Sequence, residues 1–499
     1  MNDVMRSLAA RVSESGSARV AGRLLLALFA ISVCNSQSTP TLLSPGTVVI
    51  GQCAGHTNEP ACVLPNLFGP QGITLYATPV FPHYAHFIGS AGTIMNQTLS
   101  SAIGTQLATL PFISPASGFT YQFDSNLGVF ARTTNSFGPI YAERAETIGR
   151  GRVSFGVSYQ RFRFGKLDGL NLHDIPAVFT HVPLVTAPGA TPLPFEYDVI
   201  KTTNNIDLNL DQSVVFASVG ITDRLEVSVA VPLSSVRMGA SSSADILRVS
   251  GASFTSGGTV FPNPHSFTAD PNSLHNAYSS TGTASGLGDV TLRIKDNVIQ
   301  REGYRIALGL DIRTPTGDAR KYLGTGAVGL KPFVVVSAGR RLSPHANFGF
   351  QWNGQSVLAG DVTGTTADEN SAGQATIQNG PAVSHNLPRE VLYSFGADYG
   401  ATKKLTLAAD YLGQTVFDAP GIAADTFITQ NIAGGTGPIP VPTIKATVGY
   451  LYLNTASLGF KYELLNNLLL TGNLLVKLDN NGLRQNVTPL VALSYAFGH

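Results

Sequence analysis

Leu225-Glu-Val-Ser-Val-Ala-Val-Pro-Leu233 carries an apolar residue at every odd position. A strand turns successive side chains to opposite faces. This stretch therefore shows one aliphatic face (Leu225, Val227, Val229, Val231, Leu233) and one mixed face of Glu226, Ser228, Ala230 and Pro232. Alternation with period two marks a strand with a single apolar side. It recurs where Ile206, Leu208 and Leu210 alternate with Asp207, Asn209 and Asp211, and where Val290, Leu292 and Ile294 alternate with Thr291, Arg293 and Lys295. A fifth run alternates Tyr304, Ile306, Leu308, Leu310 and Ile312 with Arg305, Ala307, Gly309, Asp311 and Arg313. With further runs near 152–165, 328–340, 345–356, 390–400, 403–416, 450–462, 467–478 and 487–497, twelve strands are predicted.

The connections between these runs alternate in length. Gly220-Ile-Thr-Asp223, Gln300-Arg-Glu-Gly303, Arg340-Arg-Leu-Ser-Pro344, Gly400-Ala-Thr402 and Glu463-Leu-Leu-Asn-Asn467 read as tight turns. The links at 165–204, 239–286, 314–327, 357–389, 417–449 and 479–486 are mostly long and rich in Gly, Ser, Thr, Asn and Pro. Short turns on one side and long loops on the other are the pattern of an outer-membrane barrel. A soluble β-sandwich has no reason to lengthen every second loop. An antiparallel transmembrane β-barrel of about twelve strands over 151–499 is the predicted fold.

Composition agrees. Only 13% of the 499 residues are charged and 43% are apolar, against about 25% charged in soluble domains. There are 52 Gly, 26 Phe and 16 Tyr with a single Trp. Disorder needs high net charge and few aromatics, and a net charge of +1 offers nothing to nucleic acid. Downstream of residue 36 no run approaches the roughly 20 apolar residues of a spanning helix. A closed barrel, which pairs every backbone N–H and C=O between strands, is the other way into lipid.

Residues 1–36 read as a secretory signal peptide. Arg6, Arg11, Arg19 and Arg23 precede the 11-residue apolar run Leu24–Cys34, and cleavage is expected near Ser36. Cys53 and Cys62 remain, nine positions apart across a turn-rich segment, and in an oxidising compartment they are expected to pair. His56 lies between them, but two Cys and one His at this spacing match no zinc pattern. Residues 37–150 hold few periodic runs, with at most one strand pair near 119–133. They are read as an N-terminal plug in the lumen or a periplasmic segment at its mouth.

With the apolar face toward lipid, the alternating residues line the lumen. The inward set is six bases (Arg293, Lys295, Arg305, Arg313, Lys461, Lys477) and six acids (Asp207, Asp211, Glu226, Asp311, Asp398, Asp410). Ion-selective pores use rings of one sign; a balanced set is expected to pair across the wall and leave passage to neutral or weakly polar solutes. Tyr399, Tyr462, Tyr495 and Phe497 at the turn side, with Phe162, Phe164 and Trp352 at the loop side, are placed in the aromatic girdles of such barrels. The final Leu493-Ser-Tyr-Ala-Phe497-Gly-His499 resembles the signal read by the barrel-assembly machinery, although Phe497 is not terminal.

Three short motifs, Gly286-Leu-Gly-Asp-Val-Thr-Leu-Arg-Ile-Lys295, Gly309-Leu-Asp-Ile-Arg-Thr-Pro-Thr-Gly-Asp318 and Leu323-Gly-Thr-Gly326, resemble a bacterial family named for the MetA pathway of phenol degradation. Gly138-Pro-Ile-Tyr-Ala-Glu-Arg-Ala-Glu-Thr-Ile-Gly149 and Ser154-Phe-Gly-Val-Ser-Tyr-Gln-Arg-Phe162 look like that family's approach to its barrel. The resemblance, spanning about 138–499, implies an outer-membrane transporter of hydrophobic or aromatic compounds and carries no catalytic residues. On their own terms the motif residues read as loop and turn chemistry, with Pro315 fixing φ and Gly317 freeing the next bend.

Other signals are set aside. Gly324-Thr-Gly-Ala-Val-Gly329 fits a dinucleotide fingerprint by letters only, because Lys331-Pro-Phe-Val-Val-Val336 after it reads as strand, not helix. Ser343 and His345, the one close Ser–His pair, are placed in a tight turn unsuited to catalysis. No cofactor or metal is expected. The leading expectation is a passive channel for small, largely apolar solutes with outer-membrane lipid around it; the alternative is a structural or surface-interaction barrel whose long loops matter.

Overall fold

A computed structural model of the chain describes residues 136–497 apart from 182–191, 302, 340, 364, 370–374, 380–381 and 431–436. Before residue 136 it describes 58–69, 72–76, 93–111, 120–124 and 129–132, with Cys53, His56, Phe87, Ser114 and Thr134. The signal peptide 1–36 and its cleavage position lie outside the described residues.

The alternating runs become twelve strands in chain order: β1 Val153–Phe164, β2 Val199–Gly220, β3 Leu225–Leu247, β4 Thr291–Arg301, β5 Tyr304–Arg313, β6 Gly329–Ala338, β7 Leu342–Asn353, β8 Glu390–Gly400, β9 Leu405–Ile428, β10 Pro440–Leu465, β11 Leu468–Lys477 and β12 Val487–Phe497. Each bonds antiparallel to the next, and β12 closes on β1 through pairs such as Phe497 with Val153. No edge is left in the ring, so the backbone is satisfied within the wall. All five tight turns fall at one end. Among the described residues no helix is long and apolar enough to cross a membrane.

Two strand pairs run far beyond the others: β2 and β3 have 22 and 23 residues, β9 and β10 have 24 and 26. Along β3 the polarity of the two faces inverts. From Leu225 to Leu233 the outward residues are aliphatic and the inward ones include Glu226 and Ser228. Beyond Leu233 the outward positions are Ser235, Arg237, Ser241, Ser243 and Asp245, while Val236, Met238, Ala240, Ala244 and Ile246 turn inward and are buried. The register carries the same boundary onto β2, where Ser213 faces Leu233 and the outward face becomes Asp211, Asn209, Asp207 and Asn205. The nine positions of the apolar stretch suit a tilted strand crossing hydrocarbon. Above it the exterior meets water, and an apolar side chain gains about 1.5–3 kcal/mol by turning inward. Stretches 239–286 and 417–449 are expected as loops because neither alternates apolar and polar residues with period two. Much of both is wall that has left the lipid.

The inverted interior holds a core of its own. Cys53, Leu64, Leu67, Ile73, Met95 and Ile103 from the N-terminal segment pack with Ile206, Leu208, Met238 and Ile246 at the loop-side end. A disulfide joins Cys53 to Cys62, and the short helix α1 (Ser101–Leu107) brings Ala102 and Ile103 into this core. Ala61 N donates to Arg320 O at 2.9 Å and Thr283 N to Asn58 O at 3.1 Å, which ties the cap to the surrounding loops. The backbone pairs Tyr121–Asp124 with Val129–Arg132, the one strand pair expected there.

Exposed rings form a belt on the loop side, where Trp352 lies 4.6 Å from Phe350 and Tyr450 5.6 Å from Phe417, centroid to centroid. On the turn side Tyr304, Tyr399, Tyr462 and Phe497 are exposed. Phe162 and Phe164 do not belong to either belt. Both point inward, buried and stacked at 5.7 Å, because β1 has passed the polarity boundary and carries Arg161 and Arg163 on its outer face.

Candidate functional site

Ser136-Phe-Gly-Pro-Ile-Tyr-Ala-Glu-Arg-Ala-Glu-Thr-Ile-Gly149 crosses the turn-side half of the lumen as an irregular strap, buried along its whole length. It has no strand partner, so its polar groups must be satisfied by inward side chains of the wall. Asn347 does so twice: its Oδ1 accepts from Glu143 N at 2.7 Å and its Nδ2 donates to Glu143 O at 3.0 Å. Ile148 N donates to Glu226 Oε2 at 2.8 Å, and Phe137 N to Thr406 Oγ1 at 2.8 Å. Lys461 Nζ donates to the carbonyls of Phe137 and Pro139 at 3.1 and 2.6 Å. At Gly220 the strap passes so close that a Cβ would lie 1.9 Å from Gly149 O.

Charge locks the same segment in place. Glu143 meets Arg293 and Lys295, the latter at 3.2 Å; Arg144 meets Asp398; Glu146 accepts from Arg305 Nη1 at 3.1 Å and from Ser337 Oγ at 2.7 Å. Buried charges persist only when paired and hydrogen-bonded. The acids and bases of the wall thus find many of their partners on the strap rather than across the lumen. Direct wall-to-wall pairs add to these: Arg293 and Lys331 with Asp311 at 2.6 and 2.8 Å, Lys295 with Glu226 at 3.8 Å, and His345 with Asp410 and Asp398 at 2.7 and 3.5 Å.

The structure separates the twelve charged residues expected in the lumen. Glu226, Lys295, Asp311, Arg313, Asp398, Asp410 and Lys461 are buried on inward faces, and Arg293 and Arg305 are partly so. Lys477 faces in near the loop end, where Nζ donates to Asn480 Oδ1 at 2.7 Å. Asp207 and Asp211 are a correction: they stand on the outer face of β2 above the polarity boundary. Asp211 there accepts from Tyr159 OH at 2.5 Å and pairs with Arg161 at 3.0 Å. Water, not lipid, covers this part of the outer face. Glu143, Arg144 and Glu146 lie outside any strand period, and the sign they leave in the sequence is three charges within four residues of a chain that is only 13% charged.

Ser343 and His345 are inward residues of β7, not members of a turn. The imidazole contacts the Ser343 carbonyl at 3.1 Å and Asp410 Oδ1 through Nε2 at 2.7 Å, so it does not address the Ser343 hydroxyl. Gly324–Gly329 leads into β6 without a helix. Its neighbourhood is a knot tied at Asp289, whose carboxylate accepts from Gly317 N at 2.9 Å and Thr325 N at 2.7 Å, while Thr316 Oγ1 donates to Gly288 O at 2.7 Å. The three short motifs thus meet in one loop junction.

Between the strap and α1 the lumen keeps a cavity of about 270 Å³. Tyr141 and Glu143 form its floor and Ala108–Pro111 its roof. One side is apolar, built by Phe162, Phe164, Leu392, Leu412, Leu453 and Leu475; the other carries Arg293, Asp311, Arg313, Lys331 and Gln351. Phe333 sits between them, its ring over Gly309, where a Cβ would come within 2.1 Å, and Arg293 stacks on it at 4.9 Å. A smaller cavity of about 40 Å³ shares Arg313 and lies under Tyr322 and Leu323.

A family model described as "Putative MetA-pathway of phenol degradation" matches residues 227–437, a narrower span than the motifs suggest. No curated protein matches the chain in sequence. Among solved structures, an outer-membrane channel of Pseudomonas putida F1 is similar at 12% identity over 71% of this chain and 99% of that one, with a TM-score of 0.38. The toluene transporter TbuX of Ralstonia pickettii is similar at 13% identity over 72% and 94%, with a TM-score of 0.32. The CymD monoaromatic hydrocarbon channel is similar at 10% identity over 70% and 90%, with a TM-score of 0.30. In sequence, then, residues 227–437 of this membrane barrel resemble the family described by the phenol-degradation pathway.

Proposed function

We propose that the chain is an outer-membrane channel that takes up small, largely apolar solutes, aromatic ones among them, with the strap as its removable floor. One observation carries the reading: a closed barrel of low charge keeps a roomy cavity in mid-lumen, walled on one side by Phe and Leu side chains. Ligand cavities are lined mainly by apolar and aromatic groups with a few placed polar ones, and this one fits that description. The family description over 227–437 points the same way. The reading needs no catalysis and no cofactor. Its partners are outer-membrane lipid around the belt and the barrel-assembly machinery at the C-terminal strand.

A second reading, a closed structural barrel, draws on the ion pairs that seal the floor and on the packed cap. Proteoliposomes loaded with a dye-coupled sensor for phenol or toluene separate the two. Faster entry than into protein-free vesicles, and faster still when the strap is loosened, is the expected result; equal entry in all three supports the structural barrel.

A further inference from the structure

We propose that the mid-lumen cavity is a binding site for the anion of a monocyclic aromatic acid, its ring against the Phe162–Phe164 side and its carboxylate at Arg313 and Lys331. The inference rests on the channel reading and names the solute class of the same cavity.

Size sets the ring count. A cavity of about 150 Å³ takes a benzene molecule, so about 270 Å³ holds one ring with a substituent and is small for two fused rings with side groups. Polarity sets the orientation. The Phe162 and Phe164 rings and the leucines come from β1 and β8–β11, whereas Arg293, Asp311, Arg313 and Lys331, half of the charged lining, come from β4–β6 across the lumen, which gives a solute with one greasy and one polar end a preferred direction.

Charge sets the sign. The cavity is lined by five bases (Arg293, Arg313, Lys331, Lys477, Arg484) and three acids (Glu143, Asp311, Glu390). Arg293 is spent on Glu143 and Asp311. Glu390 accepts from Asn353 Nδ2 at 3.2 Å and from Gln414 Nε2 at 2.6 Å. Arg313 is matched only indirectly, Asn353 standing between it and Glu390, its Oδ1 accepting from Arg313 Nη2 at 2.7 Å and its Nδ2 donating to Glu390. It is 7% exposed, its Nη groups donate only to the neutral Ala108 O and Asn353 Oδ1, and its Nε has no acceptor. Two carboxylates face it without a direct hydrogen bond, Glu390 beyond Asn353 and Asp289 at 3.8 Å, the latter occupied by Gly317 and Thr325. Gly329, opposite Arg313 in register, leaves the space beside the guanidinium open, since a Cβ there would stand 3.1 Å from Nε. Lys331 contributes an ammonium with three donors, one engaged by Asp311 at 2.8 Å. A buried guanidinium with donors to spare beside an ammonium suits a carboxylate, for which Arg is geometrically matched.

Equilibrium dialysis of the purified full-length protein in detergent, against labelled benzoate, toluene and benzylammonium, tests this. The expected result is saturable one-site binding with benzoate at least tenfold tighter than either comparator. Arg313→Gln and Lys331→Met should each cut the benzoate-to-toluene affinity ratio by fivefold or more. Arg313→Lys, which keeps the charge, serves where Arg313→Gln fails to fold and should retain most of the preference. Benzoate binding no tighter than toluene, non-saturable uptake only, or a ratio unmoved in folded Arg313 and Lys331 variants overturns the proposal. Toluene permeation that persists while benzoate preference is absent overturns this inference alone; loss of all permeation strikes the channel reading itself.

Discussion

Arg144 and Asp398 stand 254 residues apart in the chain and meet inside the lumen, Nε donating to Oδ1 at 3.2 Å while Nη2 grips the second carboxylate oxygen. Their side chains are 5% and 0% exposed. His345 adds a second contact to the same carboxylate at 3.5 Å. The pair fastens the strap to β8, and nothing comparable replaces it if one member is removed.

Arg144→Met should therefore leave the buried Asp398 with only its His345 contact, and breaking a buried ion pair costs about 3–5 kcal/mol in similar cases. The strap gives way before the wall does, since the wall's ladder is untouched. Planar-bilayer recordings should show a conductance well above that of the unaltered protein. The same small conductance in both would remove the strap from its role as floor.

The polarity inversion along β3 predicts opposite fates for one substitution at two outward positions. Val229→Arg sits in the middle of the lipid-facing stretch and should cost about 2–4 kcal/mol. Ser241→Arg lies above the boundary and should cost less than about 0.5 kcal/mol. Urea titration of the protein in lipid vesicles measures both, and equal losses would mean that the belt has been drawn at the wrong height.

Gly309→Ala places a methyl where the Phe333 ring already lies. Overpacking of this kind costs about 1–3 kcal/mol, and displacing the ring also removes the surface on which Arg293 stacks. Adding Phe333→Leu to Gly309→Ala should restore part of the loss. Vesicle unfolding midpoints for the two singles and the double form the cycle, and strictly additive losses would show that the two residues do not meet.

Reducing the cap is expected to spare the barrel. The Cys53–Cys62 link closes a loop of nine positions, for which chain entropy gives about 2–3 kcal/mol. Cys53→Ser with Cys62→Ser should leave heat-modifiable migration of the barrel on gels intact while making residues 58–69 sensitive to protease added outside cells. Unchanged protection would mean that the Arg320 and Thr283 hydrogen bonds hold the cap by themselves.

The wall was largely readable from the chain because lipid imposes one rule on every outward residue. Leu225–Leu233, Tyr304–Arg313, Glu390–Gly400 and Val487–Phe497 show it without ambiguity. The rule misled wherever the solvent outside changes: Asp207 and Asp211 alternate with Ile206, Leu208 and Leu210 as lumen residues would, yet the period alone does not say which side is wet. The cavity was harder still. Its roof and floor come from Ala108–Pro111 and Tyr141–Glu143, irregular segments with no period to read, and their positions follow from tertiary pairing with Arg313, Gln414 and Gln160 for the roof and with Arg293 and Asn347 for the floor.

The strap joins β1 at the turn side, while the disulfide loop behind it lies at the opposite end, and β1 bonds to β12. A ring whose strands are paired all the way round offers a cross-linked knot no way in through its wall. Leu64, Leu67, Ile73, Met95 and Ile103, packed inside the ring, are accordingly expected to be seated before the last strand zips to the first, so that the final strand's arrival seals a vessel already stoppered.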